Sequence, residues 1–471
     1  MRNFPRERLP FDRVSILLTH QIIKSLLQVL LTVYLSRQLD PQVYGFFAIS
    51  LVVIVLAETL REFGFSLLKI QDDNTTDTFD IDFWILTFRG FLLSLTVCLS
   101  AISQVILAPQ LIPRPITMNL IVLSSIPWIS GMSAAYGIKI WRNGHIRIFV
   151  WADFFAFFFS LLIIPLFFSL DLKTLVLPAQ LVSLLIFTMF FRALFLRVIP
   201  NKVQLSQIRT SFLPRSYKLG SAGFLKYLST NLDSVIIGVT LNSAGLGLYN
   251  RAYQLAFVPI QQVFDSQTNS VLSSKGYGNR MRSIENVHDR LAPGLIFALT
   301  FMSVNSSSVV QFLYGENWEK ASIPLTILSV AGALRVIEYK LHWHLLAMSD
   351  HKFLLASSLF QEISIILGIL IGSVWGIRGI ALGIVIAIFL TCIFESCLLV
   401  KNALSVQVIN CASGFMILCF SFLLHFIMLS IFEVHSNAHF QIVASRFVSA
   451  LLIFIGFVIL LRRALPKLAS S

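Results

Sequence analysis

The chain has 471 residues, of which 56% are hydrophobic and 13% charged, with 42 phenylalanines and a formal net charge of +13. Soluble chains run about 45–50% apolar and about 25% charged, so this composition excludes a string of water-soluble domains. The basic excess calls for no nucleic acid, because a protein that crosses a membrane many times carries such an excess as its orientation signal.

In chain order, residues 1–13 (MRNFPRERLPFDR) form a basic, partly amphipathic stretch. No small-residue cleavage site follows the first apolar run, so the stretch reads as a cytoplasmic anchor on the inner leaflet, not as a cleavable leader. Apolar runs of about 20 residues, the length that crosses a bilayer, then recur near 14–36, 42–62, 82–108, 116–138, 147–168, 176–197, 219–241, 249–272, 291–312, 322–346, 352–374, 376–400, 408–431 and 441–461. The expected fold is an all-α integral membrane protein with about 14 transmembrane helices. An N-lobe spans 14–197, a cytoplasmic linker 198–218 and a C-lobe 219–400. A further helix pair over 408–461 and a tail over 462–471 complete it. The seventh and eighth spans carry Lys226, Asp233, Arg251 and Asp265, and the charge rule works only if both cross. With the N-terminus inside, about four times as many Lys and Arg fall on the cytoplasmic side as on the outer side. Both termini are then cytoplasmic.

The chain repeats itself. LDPQVYGFF (39–47) follows the first span and LNSAGLGLY (241–249) follows the seventh. Leu39, Asp40, Gly45, Phe46 and Phe47 correspond to Leu241, Asn242, Gly247, Leu248 and Tyr249 at one constant offset. Asp or Asn opens a turn and glycine permits a close approach. Six spans separate the copies, an even number, so the halves share one orientation and are expected to be pseudo-symmetric lobes around a central cavity.

A charge at mid-bilayer costs about 2.5–3.5 kcal/mol, so such residues face a cavity or a partner. His20, Lys24, Gln28 and Thr32 stand four apart on one face of the first span. Lys226 and Asp233 share a face of the seventh. Arg251, Gln254, Gln261, Asp265 and Asn269 stripe the eighth, and Arg335, Glu338 and His342 the tenth. Arg89 and Asp153 are isolated charges in the third and fifth spans. The candidate substrate-binding cations are therefore Lys24, Arg89, Lys226, Arg251 and Arg335. The polar and ion-coupling candidates are Gln28, Asp153, Asp233, Gln254, Asp265 and Glu338. Such a cavity suits an anionic, sugar-rich substrate, because phosphates take Arg and Lys while sugars take amides and hydroxyls. The alternative is internal pairing of Arg335 with Glu338, Lys226 with Asp233 and Arg251 with Asp265. Cys98, Cys392, Cys397, Cys411 and Cys419 all sit in apolar spans without metal-ligand spacing. His342 and His344, two apart, lie on different faces of a helix. No metal or cofactor is expected.

The run LSRQLDPQVYGFFAIS with the following EFGFSLLKIQ resembles the opening of bacterial polysaccharide transporters, the O-antigen and exopolysaccharide lipid-linked oligosaccharide flippases of the MOP superfamily. Arg37, Leu39, Pro41, Tyr44, Gly45, Phe63 and Gly64 carry the match, and Asp40 replaces the family's glycine. In the second half, Asn231, Asp233, Gly238, Gly247, Tyr249 and Ala252 match the family's seventh and eighth helices. Gly315, Trp318, Ala321 and Pro324 match its stretch before helix ten. The resemblance implies two six-helix lobes and no enzymatic activity. It implies a polyprenyl-pyrophosphate-linked oligosaccharide carried from the cytoplasmic to the outer leaflet of a bacterial inner membrane. The partners it implies are that substrate, the bilayer, a polysaccharide polymerase and chain-length proteins. A membrane polymerase or ligase would need longer external loops than the expected ones of about ten residues. A multidrug or cation exporter of the same superfamily would need an acidic, aromatic cavity.

Overall fold

A computed structural model describes residues 11–65, 79–107, 110, 112–142, 146–201, 213–240, 242–273, 277–348, 351–401, 414–425, 451 and 453–454. The described residues form helices and no strands. They are α1 (Phe11–Gln38), α2 (Pro41–Glu62), α3 (Phe79–Leu107), α4 (Arg114–Leu123), α5 (Ile126–Arg142), α6 (Ile146–Leu161), α7 (Ile163–Ser169), α8 (Val176–Leu196), α9 (Leu213–Thr240), α10 (Ser243–Ser273), α11 (Tyr277–Val304), α12 (Ser306–Tyr314), α13 (Ser322–Met348), α14 (His351–Gly372) and α15 (Gly376–Lys401), followed by α16 (Gly414–His425). Residues 1–10 of the expected anchor, 202–212 of the expected linker 198–218, most of the thirteenth and fourteenth spans and the C-terminal tail lie outside the described residues, while α9 begins at Leu213, within that linker.

Among the described residues, seven segments are long and apolar enough to cross a membrane: Pro41–Glu62, Phe79–Leu107, Arg114–Ile140, Arg147–Ser169, Lys173–Leu196, Glu316–Met348 and Lys352–Val400. The chain is thus a multi-pass α-helical membrane protein. The last segment, 49 residues, would be roughly 74 Å long if straight, more than twice the hydrocarbon thickness. It is a hairpin of α14 and α15. The helices α1, α9 and α10 are not among the seven, and they are the ones that carry the polar stripes. One expected span is broken. Between α11 and α12 the chain bends by 90° at Asn305, where a continuous helix was expected over 291–312. The Asn305 amide donates to the Phe301 carbonyl (3.1 Å), Ser303 Oγ to the Thr326 carbonyl (2.9 Å), and Ser306 Oγ pairs with Thr326 Oγ1 (2.7 Å). Local polar side chains offer this backbone an alternative to a straight ladder.

The helix boundaries repeat as the turns do. The pair α9 and α10 begins, breaks and resumes at Leu213, Thr240 and Ser243, each 202 residues beyond Phe11, Gln38 and Pro41 of α1 and α2. Further on, α8 and α15 are each entered through a single 3-10 turn, Lys173–Leu175 and Ser373–Trp375.

The chain divides into two compact units. The first is Met1–Thr32, Gln42–Gly238 and Asn242–Gly247. In it α3 packs on α5, and α6 on α8. Phe79, Phe83 and Tyr136 build an aromatic core in the former pair. In the latter, Ala152 and Ala156 are fully buried and let Phe191 of α8 approach. Small residues at helix contacts are how packing is won in lipid, where apolar surface gains little by leaving the tails. The two repeat turns also meet here. A Cβ on Gly45 would lie 1.6 Å from the Ser243 carbonyl oxygen, so only glycine fits. At the second turn Asn242 Oδ1 accepts from the Gly245 N–H at 2.6 Å, a helix cap.

The second unit is Val33–Pro41, Val239–Leu241 and Leu248–Ser471, with α13 packed on both α11 and α15. Most of α13 is buried, and its Trp343 and Tyr339 rings pack on Phe264 at 5.4 and 5.0 Å. The described part of the thirteenth span, α16, packs on α11: Ser421 meets Thr300, and the His425 ring lies 4.7 Å from Phe297. The hairpin of α14 and α15 is joined through backbone. Gly368 faces Gly383 and Gly372 faces Gly379, each pair four apart along its helix, and a Cβ on Gly372 would lie 2.2 Å from the Gly379 carbonyl oxygen. This is the close approach of small residues spaced by four. Gly372→Leu is expected to force the helices apart and cost about 1–3 kcal/mol. A purified variant that melts with the wild type would refute the crossing.

The motif residues at the ends of the matched region work as structure. Arg37 donates to the carbonyls of Phe312 and of Leu313 (3.3 Å) at the end of α12. Gly315, at φ +94°, turns the chain there, a conformation that favours glycine. Trp318, fully buried, donates from Nε1 to the Ser36 carbonyl at 2.8 Å.

Candidate functional site

Asp153 sits mid-way along α6, in the sequence IRIFVWADFFAFFFSL. A carboxylate in so apolar a helix requires cationic partners, and it has two. Lys24 Nζ of α1 lies 3.1 Å from Oδ2, and Arg192 Nη2 of α8 lies 3.1 Å from Oδ1. Arg192 Nη1 also donates to the carbonyl (3.2 Å) and hydroxyl (3.1 Å) of Ser133 on α5, and its guanidinium lies over the Phe149 ring at 4.8 Å. Four helices therefore converge on one carboxylate. Beside it opens a cavity of about 270 Å³ lined by Lys24, Ser130, Ser133, Asp153, Thr188 and Arg192, with Leu184 and Leu185. Two cations share one carboxylate, so this wall of the cavity carries a net positive charge, while Ser130, Ser133 and Thr188 stand among the apolar Ala134, Leu184 and Leu185 on the rest.

Ser130 continues the polar wall by donating to Glu58 of α2. Glu58 pairs with the buried Arg61 (3.0 Å), which also pairs with Glu62 (2.8 Å). One turn before Lys24, the buried His20 lies within electrostatic reach of both Lys24 and Asp153. Gln28, one turn later, is half-buried.

The structure brings Lys24 and Asp153 together and distributes the other candidates elsewhere. Arg89 is half-buried over the Phe65 ring, 5.5 Å from its centroid, with Glu62 nearby. Lys226 is exposed on α9. Asp233 is buried and accepts the Ser234 N–H at 2.6 Å. In the second unit, Arg251 is buried and donates to Gln254 Oε1 (2.7 Å), whose amide donates to Asn250 (3.2 Å). Asp265 lies on α10, but its side chain is outside the described residues. Arg335 pairs with Glu338 at 3.2 Å, so the internal-pairing alternative holds at that position. Its guanidinium also covers the Tyr339 ring at 5.3 Å and donates to the Gln361 amide, whose oxygen is assigned toward it.

Two functional candidates escaped the sequence reading. Arg192, four residues before the end of α8, was counted with the cytoplasmic charges that set orientation, yet it turns inward. Its sequence signal was a position inside an apolar helix. Glu395 is a lone carboxylate in α15, fully buried. It is bonded to His342 (3.2 Å) and Ser357, and its isolation within an apolar run was the available clue.

A family model described as "polysaccharide biosynthesis protein" matches residues 34–323, well over half of the chain. The chain belongs to this family. Arg37 and Trp318, which bracket the second unit's tie between α1 and the end of α12, fall within the matched region. This polysaccharide biosynthesis protein is 25% identical over 383 residues to the lipopolysaccharide biosynthesis protein WzxC of Escherichia coli (strain K12), covering 79% of this chain and 76% of that one. It is 27% identical over 130 residues to the teichuronic acid biosynthesis protein TuaB of Bacillus subtilis (strain 168), over 25% of each chain. Among solved structures it resembles the lipid II flippase MurJ in an inward closed conformation. That match has a TM-score of 0.61 at 14% identity, covering 93% of this chain and 99% of that chain. It also resembles an inward-facing multidrug resistance MATE family transporter of the MOP superfamily. There the TM-score is 0.57 at 15% identity, over 86% and 99% of the two chains. The all-helical membrane fold expected from the motifs is borne out as one shared with these solved structures.

Proposed function

We propose that the protein moves a polyprenyl-pyrophosphate-linked oligosaccharide from the cytoplasmic to the outer leaflet of a bacterial inner membrane for polysaccharide biosynthesis. The observation that carries this reading is the pair of part-buried cations, Lys24 and Arg192, sharing the buried Asp153 beside a cavity that Ser130, Ser133 and Thr188 help to line. A pyrophosphate would compete with Asp153 for both cations, and Arg192 offers it a planar fork. Membership of a polysaccharide biosynthesis family, a relative concerned with lipopolysaccharide and a fold shared with a lipid flippase point the same way. In this reading the chain crosses the membrane about 14 times. The lobes span 14–197 and 219–400, both ends are cytoplasmic, and the lipid tail stays in the bilayer while the headgroup crosses. Arg251 of the second lobe supplies further positive charge, whereas the charge of Arg335 is met by Glu338. No bond of the substrate is made or broken.

Complementation of a bacterium lacking its own oligosaccharide flippase tests the reading. The wild-type chain is expected to restore surface polysaccharide. Lys24→Ala and Arg251→Ala are expected to abolish it with folded protein at wild-type level in the membrane. Normal polymer in both variants would remove the cavity cations from the mechanism. The shared fold with a multidrug transporter favours one second reading, export of cationic drugs. That reading predicts drug resistance on expression and no effect on polymer.

A further inference from the structure

Away from the cavity of the first unit, three helices of the second unit gather a different set of groups. Glu338 and His342 lie one turn apart on α13 and so share a face. Glu395 reaches them from α15. A donor atom from each of the three lies within 4.8 Å of the other two, and His342 Nδ1 is 3.2 Å from Glu395 Oε1. Both carboxylates are buried, at 2% and 0% exposure. Oε2 of Glu395 and Oε2 of Glu338 have no hydrogen-bond partner, although the latter faces the Arg335 charge. Buried carboxylate oxygens left in that state are costly unless a cation completes them.

We propose that Glu338, His342 and Glu395 bind a divalent first-row transition-metal ion that ties α13 to α15. Three features of the cluster carry this. The first is charge: Glu338 and the half-buried Glu362 face the guanidinium of Arg335, and Glu395 adds its charge beside Glu338. With His342 neutral, as a ligand must be, the group sums to two negative charges, and a divalent ion brings it to neutrality. The second is donor type. One imidazole nitrogen with two carboxylate oxygens suits zinc, manganese and their neighbours, whereas sodium, calcium and magnesium take oxygen alone. The third is support. Ser357 of α14 donates to Glu395 Oε1, and Arg335, itself held by Gln361, faces Glu338. Outer contacts of this kind orient ligating side chains. Tetrahedral zinc separates its ligand atoms by roughly 3.4 Å. The His342–Glu395 pair, at 3.2 Å, is already close to that spacing, and a Glu338 oxygen lies within 4.8 Å of both. His344, two residues on, is not part of the site. Its Nδ1 turns to the Lys340 carbonyl at 2.6 Å.

The site does not depend on the transport reading, and its test reads binding alone. Full-length, tag-free protein in nanodiscs, stripped with chelator, is titrated with Zn2+ or Mn2+. Bound metal is measured by elemental analysis, with the melting temperature recorded in parallel. The expected result is one ion per chain and a raised melting temperature. Glu395→Gln and His342→Gln are each expected to lose affinity by at least about tenfold, as is Ser357→Ala, while His344→Gln binds as the wild type. Glu338→Gln gives the same reading if Glu395→Gln does not fold. The proposal is overturned by the absence of stoichiometric binding, by equal binding in the His342 and Glu395 variants, or by stabilisation with Na+ or acid in place of Zn2+ and Mn2+.

Discussion

Arg192→Ala is expected to lower stability by about 3 kcal/mol, the usual result of stripping one partner from a buried ion pair, and to abolish transport-dependent surface polysaccharide. Arg192 is 13% exposed and Asp153 8%, so removal of the guanidinium leaves a buried carboxylate with Lys24 alone and releases Ser133 from two hydrogen bonds. The two losses are separable. In the double variant Arg192→Gln, Asp153→Asn, neutral amides replace the pair, so no buried charge is stranded and most of the stability should return. Polymer should not return, because the cation that would meet a pyrophosphate is still missing. Melting curves of purified protein and surface polymer in the complemented strain give the two readings. A double variant with wild-type polymer would reduce Arg192 to a structural residue.

Trp318→Ala is expected to cost about 3–5 kcal/mol, the range for truncating a large buried aromatic side chain. Trp318 is fully buried, packs on Tyr314 with ring centroids 5.6 Å apart, and satisfies the Ser36 carbonyl. Trp318→Phe keeps most of the packing and loses the indole N–H. It should cost about 1–3 kcal/mol for a buried carbonyl left unmade. The alanine variant is expected to be depleted from membranes, and the phenylalanine variant to accumulate and melt at an intermediate temperature. Equal melting of Trp318→Phe and wild type would show that the bond to Ser36 contributes nothing. The motif residues Arg37, Gly315 and Trp318 are thus expected to act through folding alone, whereas Arg192 is expected to serve both folding and transport.

Much of the fold was legible because its causes are local. Hydropathy over about 20 residues decides whether a segment crosses a bilayer, and a turn is decided by the few residues in it. The repeat could thus be read from LDPQVYGFF and LNSAGLGLY, and the starts of α1 and α2 and the end of α1 recur in α9 and α10 at the same 202-residue displacement. The bend at Asn305 was not foreseen. An apolar average over 291–312 cannot register Ser303 and Asn305 bonding to backbone carbonyls and Ser306 to the Thr326 hydroxyl.

The candidate site divides in the same way. The sequence by itself determined that the chain crosses a membrane, that the turn after its first span recurs 202 residues later, and that Lys24, Asp153, Arg335 and Glu338 could not face lipid, because burial cost is a property of each residue. Only the tertiary structure decided which charges meet. Asp153 finds Lys24 across 129 positions and Arg192 across 39, and Glu395 finds His342 across 53. Side-chain pairing acts over about 3 Å. The approach of one helix to another sets that distance through contacts such as Gly368 on Gly383 and Phe191 on Ala152 and Ala156.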